Sequence, residues 1–96
     1  MASEAENEAG RVAVIEITDV LDLHSFRPNE TADVVREYLE QATQLGFKQL
    51  RIIHGRGIGA QRRTVRTVLE RDPRVLEFDD APPEAGGWGA TLVEMR

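Results

Sequence analysis

Short β-rich segments alternate with two stretches of helical periodicity along this chain, and that order restricts the folds open to it. The β-rich segments cover residues 12–18 with an extended continuation to 24, then 50–53, 74–79 and 90–95. Apolar residues recur at helical spacing over 28–45 and 61–71. Residues 12–18 form either a first strand or a lead-in to it. We therefore predict an α/β domain with the order β-α-β-α-β-β.

The carboxyl ends of the first three main strands are expected to lie at one edge of a four-stranded mixed sheet. Each β-α-β unit makes a right-handed crossover, so these three strands run parallel. The last strand returns in the opposite direction after a loop rich in proline and glycine, residues 80–88. Open α/β sheets usually bind ligands at the carboxyl edge. A functional site is therefore expected there.

Three short motifs fall where this topology brings them together. They are Leu21-Asp22-Leu23-His24, then His54-Gly55-Arg56-Gly57-Ile58-Gly59, and then Gly86-Gly87-Trp88-Gly89-Ala90-Thr91. We call them the first, second and third motif. Both histidines of the chain lie within them, as do six of its eight glycines. The rest of the sequence is typical of a scaffold, so any chemistry is expected in these motifs.

The second motif joins a predicted strand to a predicted helix and is suited to bind a phosphate. Glycine permits a ligand to approach the backbone closely, and the free N–H groups and dipole of a helix start attract an anion. The predicted phosphate or nucleic-acid contacts are Gly55, Arg56, Gly57, Gly59, Arg62, Arg63 and Arg66. A tight turn without a ligand uses the same glycines. No Gly-Lys-Ser/Thr follows, so this is not a Walker A loop and no nucleoside triphosphate is expected.

Asp22, His24 and His54 are the candidate catalytic residues. An imidazole titrates near neutral pH and can move a proton, and Asp22 could orient a histidine or activate water. Alternation along the first strand puts Asp22 and His24 on one face, with Leu21 and Leu23 on the other. Each histidine could instead be a structural residue at the end of a strand, with its ring hydrogen-bonded within the protein. Two histidines and a carboxylate could also form a metal triad; the spacing is not a known zinc pattern, so a divalent metal stays an open alternative and no metal ligand is assigned.

In the third motif, Gly87 and Trp88 are candidate nucleic-acid contacts. Trp88 is the only tryptophan, and an exposed indole can stack on a base. The same ring could instead cover the end of the core. The other aromatic residues, Tyr38 and three phenylalanines, are typical of a core and do not form a stacking platform.

Charge is strongly segregated along the chain. The net charge is −5 at pH 7, which argues against non-specific binding to nucleic acid. Residues 48–74 nevertheless carry eight bases and two acids, a net of +6, whereas residues 1–47 carry −7 and residues 75–96 carry −4. A domain that is acidic overall can therefore be basic at one edge. A solvated helix face rich in arginine is the alternative.

Length and composition set further limits. Ninety-six residues are enough for one core, and we predict a disordered acidic tail over 1–10 and a single domain over 11–96. The absence of cysteine excludes disulfides and thiolate metal sites. No apolar run reaches membrane-spanning length, and the acidic N-terminus is unlike a signal peptide. We expect a cytoplasmic monomer that binds no membrane.

Together, the three motifs resemble the Smr (small MutS-related) domain family, in its stand-alone form, over about residues 20–96. Their order and spacing are more specific than any single motif. The resemblance implies a two-layer α/β sandwich similar to the C-terminal domain of translation initiation factor three, nucleic-acid binding and, in many members, nicking or endonucleolytic activity. Many members have a glycine where this chain has Ser25. The resemblance places the functional positions of the family on Asp22, His24, His54, Gly55 and Gly57.

The leading hypothesis is therefore an endonuclease or nicking domain that cleaves phosphodiester bonds of DNA or RNA. A non-catalytic module that binds branched or single-stranded nucleic acid would use the same loop and arginines. An enzyme acting on a phosphorylated metabolite is a third hypothesis, which the spread of arginines as far as Arg74 disfavours. The sequence does not distinguish DNA from RNA.

Overall fold

The computed structural model describes residues 2–6, 12–57 and 59–96. The strands in these residues are β1 Ala2–Glu6, β2 Val12–Glu16, β3 Val20–Asp22, β4 Gln49–Ile53, β5 Val75–Asp80 and β6 Ala90–Met95. The helices are α1 Thr31–Gln44 and α2 Ala60–Arg71, with short 3₁₀ turns at Pro28–Glu30, Pro83–Ala85 and Gly87–Gly89. The predicted order of strands and helices is confirmed from β3 onward.

β1 and β2 form a two-stranded antiparallel sheet of their own, in which Ala2 pairs with Glu16 and Glu6 with Val12. The segment predicted as a first or lead-in strand therefore does not join the main sheet. β1 falls within the predicted tail, of which residues 1 and 7–10 lie outside the described residues. The division into a tail over 1–10 and a domain over 11–96 stays a prediction.

The main sheet has four strands in the order β3-β4-β6-β5. β3 pairs parallel with β4, with Asp22 opposite Ile53, and β6 pairs antiparallel with both β4 and β5. β3, β4 and β5 therefore run in one direction, as predicted, and their carboxyl ends lie at one edge of the sheet. We call this the carboxyl edge. The sequence did not predict that β6 inserts between β4 and β5.

The core lies between the main sheet and the two helices. Within β4, Leu50 and Ile52 are buried, whereas Arg51 and Ile53 are only partly so. Since side chains alternate across a strand, this pattern shows that the helices cover one face of the sheet. The same buried cluster includes the helix residues Val35, Leu39, Val65 and Leu69. This is the two-layer sandwich that the motifs imply.

Local sequence sets the helix limits near their predicted positions. Pro28 lies in the 3₁₀ turn before α1, where the Arg27 N–H donates to Glu30 Oε1 at 2.9 Å. α2 ends one residue before Asp72, whose helical conformation is disfavoured because Pro73 follows it. Among the described residues, neither helix combines the length and the apolar character needed to cross a membrane.

Candidate functional site

The backbone of the carboxyl edge joins the three motifs. The N–H of Leu23 in the first motif donates to the carbonyl of Ile53, just before the second motif, at 2.9 Å. The N–H groups of His54 and Gly55 both donate to the carbonyl of Gly89 in the third motif, at 3.1 and 2.9 Å. Three segments far apart in sequence therefore meet at one edge, as the topology predicts.

Asp22 and His24 form an exposed, hydrogen-bonded pair at the end of β3, which we call the Asp–His pair. His24 Nδ1 lies 2.8 Å from Asp22 Oδ1, and the backbone N–H of His24 donates to the same oxygen at 3.0 Å. The side chains of His24 and Asp22 are 80% and 46% exposed, while Leu23 between them is fully buried. The hydrogen bond from the backbone N–H of His24 is the main cause that lowers the pKa of Asp22, and the hydrogen bond from the His24 ring lowers it further. Asp22 is therefore a carboxylate at neutral pH.

A tight turn holds this pair at the surface. The Phe26 N–H donates to the Leu23 carbonyl at 3.0 Å, so that His24 and Ser25 occupy the turn. Nε2 of His24 has no hydrogen-bond partner within the described residues. An imidazole fixed through Nδ1 by a carboxylate is oriented to exchange a proton at Nε2.

His54 is buried, with 7% of its surface exposed, and it ties the second motif to the third. Its Nδ1 lies 2.9 Å from the carbonyl oxygen of Gly55 and its Nε2 lies 2.9 Å from the hydroxyl of Thr91. Because a carbonyl only accepts, Nδ1 carries the proton of the neutral ring and Nε2 accepts from Thr91. Burial lowers the pKa of His54, and the charges of Arg62 and Arg66 lower it further.

This buried histidine is expected to make the fold less stable in mild acid. In the unfolded chain His54 takes up a proton near pH 6.5, the ordinary value for imidazole, whereas its lowered pKa delays protonation of the folded chain. Between these two pKa values the unfolded state therefore binds more protons than the folded state. The contribution of His54 to the free energy of unfolding is thus fully present above about pH 6.5 and is lost as the pH drops below that value. Urea unfolding at several pH values between neutral and mildly acidic measures the effect. The His54→Gln variant should show a flatter pH dependence than wild type, and an unchanged slope would contradict the assignment.

The structure places His54 and the Asp–His pair in separate hydrogen-bond networks, although both lie at the carboxyl edge. The partners of His54 are Gly55 and Thr91, whereas Asp22 and His24 contact each other. Within residues 17–57 and 59–96, whose side chains the structure describes, no group of three or more histidine, aspartate or glutamate side chains could hold a metal ion. The metal triad considered from the sequence is therefore not assembled in this part of the chain.

Asp80, at the end of β5, gathers two of the predicted arginines and was not singled out from the sequence. Its Oδ1 accepts from Nη2 of Arg62 at 2.7 Å and from Nη2 of Arg66 at 2.5 Å. The hydrogen bond from Arg62 is the main cause that lowers the pKa of Asp80. The position of Asp80 at the carboxyl end of a predicted strand was the sequence signal that could have identified this residue. Part of the positive charge of both arginines is thus offset within the domain.

Trp88 lies against the second motif and is held there by two contacts. The guanidinium of Arg62 stacks on the indole, with Cζ 4.6 Å from the ring centroid. Gly59, at the N-cap of α2, has a φ of +83°, and a Cβ atom on it would lie 3.1 Å from Cη2 of Trp88. Glycine is therefore required there both for its backbone conformation and for the close approach of the ring. Trp88 is nonetheless 41% exposed, so its ring also reaches solvent.

Three residues of the second motif, which follow His54, are exposed and open to an anion. Gly55, Arg56 and Gly57 all lie at the surface between β4 and α2. Arg56 runs along the third motif, since a Cβ atom on Gly87 would lie 3.3 Å from its Nη2 and one on Gly89 would lie 3.2 Å from its Cγ. The N-terminus of α2 has no side-chain cap and no acidic residue in its first turn. Its free N–H groups and dipole favour an anion.

A shallow cavity of about 330 Å³ lies where α2 meets the third motif. It is lined by Gly59, Arg62, Arg63, Arg66, Thr67, Glu70 and Trp88. A larger groove of about 660 Å³ runs between α1 and α2. Two arginines of that groove are paired with acids: Arg36 with Asp33, and Arg74 with Asp72 and Glu40. In the smaller cavity Arg62 and Arg66 are likewise paired, with Asp80. The smaller cavity is the candidate for an anionic ligand because it adjoins the motifs through Gly59 and Trp88.

Sequence comparison identifies relatives of this chain. Residues 21–96 match the family model described as the Smr domain. The Endonuclease MutS2 of Thermus thermophilus is 45% identical over 76 residues, which is 79% of this chain and 10% of that protein. The Endonuclease MutS2 of Halalkalibacterium halodurans is 41% identical over 76 residues, with 79% and 10% covered. The chain spans about a tenth of the length of these curated relatives.

Two solved structures share the fold. The crystal structure of the Smr domain of Thermus thermophilus MutS2 matches with a TM-score of 0.78 and 43% identity, covering 82% of this chain and 99% of that one. YdaL, a stand-alone small MutS-related protein from Escherichia coli, matches with a TM-score of 0.70 and 28% identity, covering 81% of this chain and 64% of that one. Since the family match over residues 21–96 includes all three motifs and both helices, this chain belongs to the Smr domain family.

Proposed function

We propose that this domain is a nucleic-acid endonuclease or nicking domain whose catalytic centre is the Asp–His pair. The observation that carries the proposal is the exposed imidazole of His24, held through Nδ1 by Asp22 at 2.8 Å. It lies at the same edge as the glycines and Arg56 of the second motif. Relatives named Endonuclease MutS2 support an activity on phosphodiester bonds.

His24 is the general base in this proposal. Asp22 fixes the ring, and Nε2 takes the proton of the attacking oxygen. In RNA the attacking group is the 2′-hydroxyl beside the scissile phosphate: its oxygen bonds to phosphorus, the bond to the 5′ oxygen breaks, and that oxygen takes up a proton from water. In DNA, which lacks this hydroxyl, water is the nucleophile: its oxygen bonds to phosphorus, one of the two ester P–O bonds breaks, and the leaving oxygen takes up a proton from a second water. Proton transfer of this kind contributes about 10²–10⁴-fold to the rate.

The second motif holds the phosphate in this proposal. Arg56 is exposed and carries its charge beside the third motif. The backbone N–H groups of the loop and of the start of α2 stabilise the charge that develops on the phosphate oxygens. Arg63 is exposed on the first turn of α2 and adds a further cation. Arg62 and Arg66 contribute less charge because Asp80 already neutralises part of it.

His54 takes a positioning role here rather than the catalytic role considered from the sequence. Its ring is buried and both ring nitrogens have partners, so neither is free for a substrate. By joining Gly55 to Thr91, it fixes the backbone that carries Arg56.

Cleavage assays with labelled single-stranded and duplex forms of DNA and RNA, with and without EDTA, test the proposal. Cleavage of at least one substrate is expected, and its loss in EDTA would show that a divalent metal takes part. Cleavage of RNA alone would favour attack by the 2′-hydroxyl. Binding without cleavage of any substrate would overturn the catalytic assignment.

The second candidate function is a nucleic-acid-binding module without catalysis. Its supporting observation is the burial of His54, which leaves His24 as the exposed imidazole of the edge. The loop, the helix start and the arginines would then grip backbone phosphates of branched or single-stranded nucleic acid.

Binding is expected to weaken steeply with salt under either function. Each phosphate contact releases counterions, so the log–log slope of the association constant against salt is about −0.7 per contact for single strands and −0.9 for duplex. In an Arg56→Ala/Arg63→Ala double variant, the magnitude of this slope should decrease by the contribution of about two phosphate contacts. Arg36→Ala is the matched control, because Arg36 on α1 is paired with Asp33. Affinity that does not change with salt would contradict both functions.

A further inference from the structure

We propose that the cavity beside Trp88 binds one unpaired nucleobase, so that the domain acts on nucleic acid with unpaired nucleotides. This inference rests on the nucleic-acid binding proposed above and specifies that the bound nucleotides are unpaired. Its basis is that the single tryptophan of the chain is held firmly in place and is still 41% exposed.

The indole of Trp88 is fixed on one side by a chain of contacts. The Arg62 guanidinium lies 4.6 Å from the ring centroid, and Arg62 is itself held by Asp80 at 2.7 Å. Gly59 packs against the ring edge, where a Cβ atom would lie 3.1 Å from Cη2 of the indole, closer than an ordinary contact. A ring held in this way binds a base at little further cost in side-chain entropy. Because Arg62 already stacks on the ring, the indole has room for one base rather than two.

The rest of the cavity suits the phosphate of the same nucleotide. Arg63 and Thr67 line it together with Trp88, and Arg63 is exposed. No carboxylate of the described residues lies within ion-pair distance of Arg63. The volume of about 330 Å³ is at the lower end of the range for small-ligand pockets, roughly 300–1,000 Å³. A cation next to an exposed aromatic ring is the combination that single-strand-binding proteins use.

Stacking on Trp88 requires a base whose face is free. In an intact duplex each base stacks on its neighbours, so its face is not available to a side chain. Contacts from arginine to phosphate do not make this distinction, because both strand states carry phosphates. Trp88 therefore favours single strands, loops and other unpaired segments over duplex.

Intrinsic fluorescence reports directly on this cavity, because Trp88 is the only tryptophan. The wild-type domain is titrated with a short single-stranded oligonucleotide, with a duplex of the same length, and with inorganic polyphosphate as a polyanion without bases. We expect quenching by the single strand and much weaker quenching by the duplex and by polyphosphate. Equal quenching by polyphosphate would overturn the proposal.

Variants then measure the contribution of the ring by fluorescence anisotropy of labelled oligonucleotides. Trp88→Ala should weaken single-strand binding by roughly 5- to 100-fold, the usual effect of removing one stacking side chain, and leave duplex binding nearly unchanged. Trp88→Phe keeps an aromatic face and should retain most of the affinity, which also provides a test if the alanine variant does not fold. Leu92→Ala is the matched control, since Leu92 is 38% exposed on β6 and does not line the cavity.

The outcomes separate this proposal from the proposed function. Single-strand binding that is unaffected in both Trp88 variants, with duplex bound equally well, would overturn the nucleobase site and leave nucleic-acid binding intact. Failure of the wild-type domain to bind any nucleic acid would overturn both.

Discussion

Replacing His24 with alanine is expected to slow phosphodiester cleavage by about 10²–10⁴-fold and to leave nucleic-acid affinity nearly unchanged. The side chain is 80% exposed and its ring contact is to Asp22, so its removal disturbs no packed core. The proton acceptor is lost, whereas the arginines and the glycine loop that hold the phosphate remain. Single-turnover cleavage rates and binding constants, measured on the same substrate, separate these two effects.

Two further variants sharpen this test. Asp22→Asn keeps an oxygen that accepts from the His24 backbone but removes the charge that steadies the imidazolium, so an intermediate loss of rate is expected. Ser25→Ala lies next to the pair and should cleave like wild type. An Asp22→Ala/His24→Ala double variant that cleaves at the wild-type rate would remove the pair from the mechanism.

The Gly86→Ala substitution is expected to destabilise the fold by about 2–5 kcal/mol, the sum of backbone strain and overpacking. Gly86 has a φ of +117°, beyond the small left-handed region open to other residues. A Cβ atom there would lie 2.9 Å from the Cβ of Ala90, which is fully buried at the start of β6 and cannot move aside easily. Urea unfolding with the linear extrapolation measures the loss.

Gly87→Ala is the matched control for this prediction. Its φ of +55° lies in the left-handed region, and an added Cβ would meet only the flexible end of Arg56, at 3.3 Å. The expected cost is about 1–2 kcal/mol, which is the strain alone. Equal losses in the two variants would show that the contact with Ala90 does not matter.

Much of the scaffold follows from local patterns in the sequence. Alternation and helical spacing predict β4, α1, α2 and β6 to within three residues of their observed limits. The handedness of β-α-β units makes three strands parallel and so places the first two motifs at one edge. Pairing of Asp22 with Ile53 confirms that placement. Alternation also puts Asp22 and His24 outside and Leu23 inside, because side chains of a strand point in turn to opposite faces.

The order of the strands was decided by tertiary packing. β6 lies between β4 and β5, where Ala90, Thr91, Val93 and Met95 are buried. Local patterning shows that a segment is a strand but does not show which neighbours will supply its hydrogen bonds. This insertion brings Thr91 next to His54 and Gly89 next to Gly55.

What the sequence by itself determined is the set of elements from β3 onward, the common edge and the motifs with their candidate residues. Only the tertiary structure decided how those residues divide: His24 exposed beside Asp22, His54 buried against Thr91, and two arginines held by Asp80. The physical reason is that burial and hydrogen-bond partners depend on segments that are distant along the chain. The sequence alone therefore does not show whether the second ring nitrogen of a histidine faces solvent or a threonine hydroxyl.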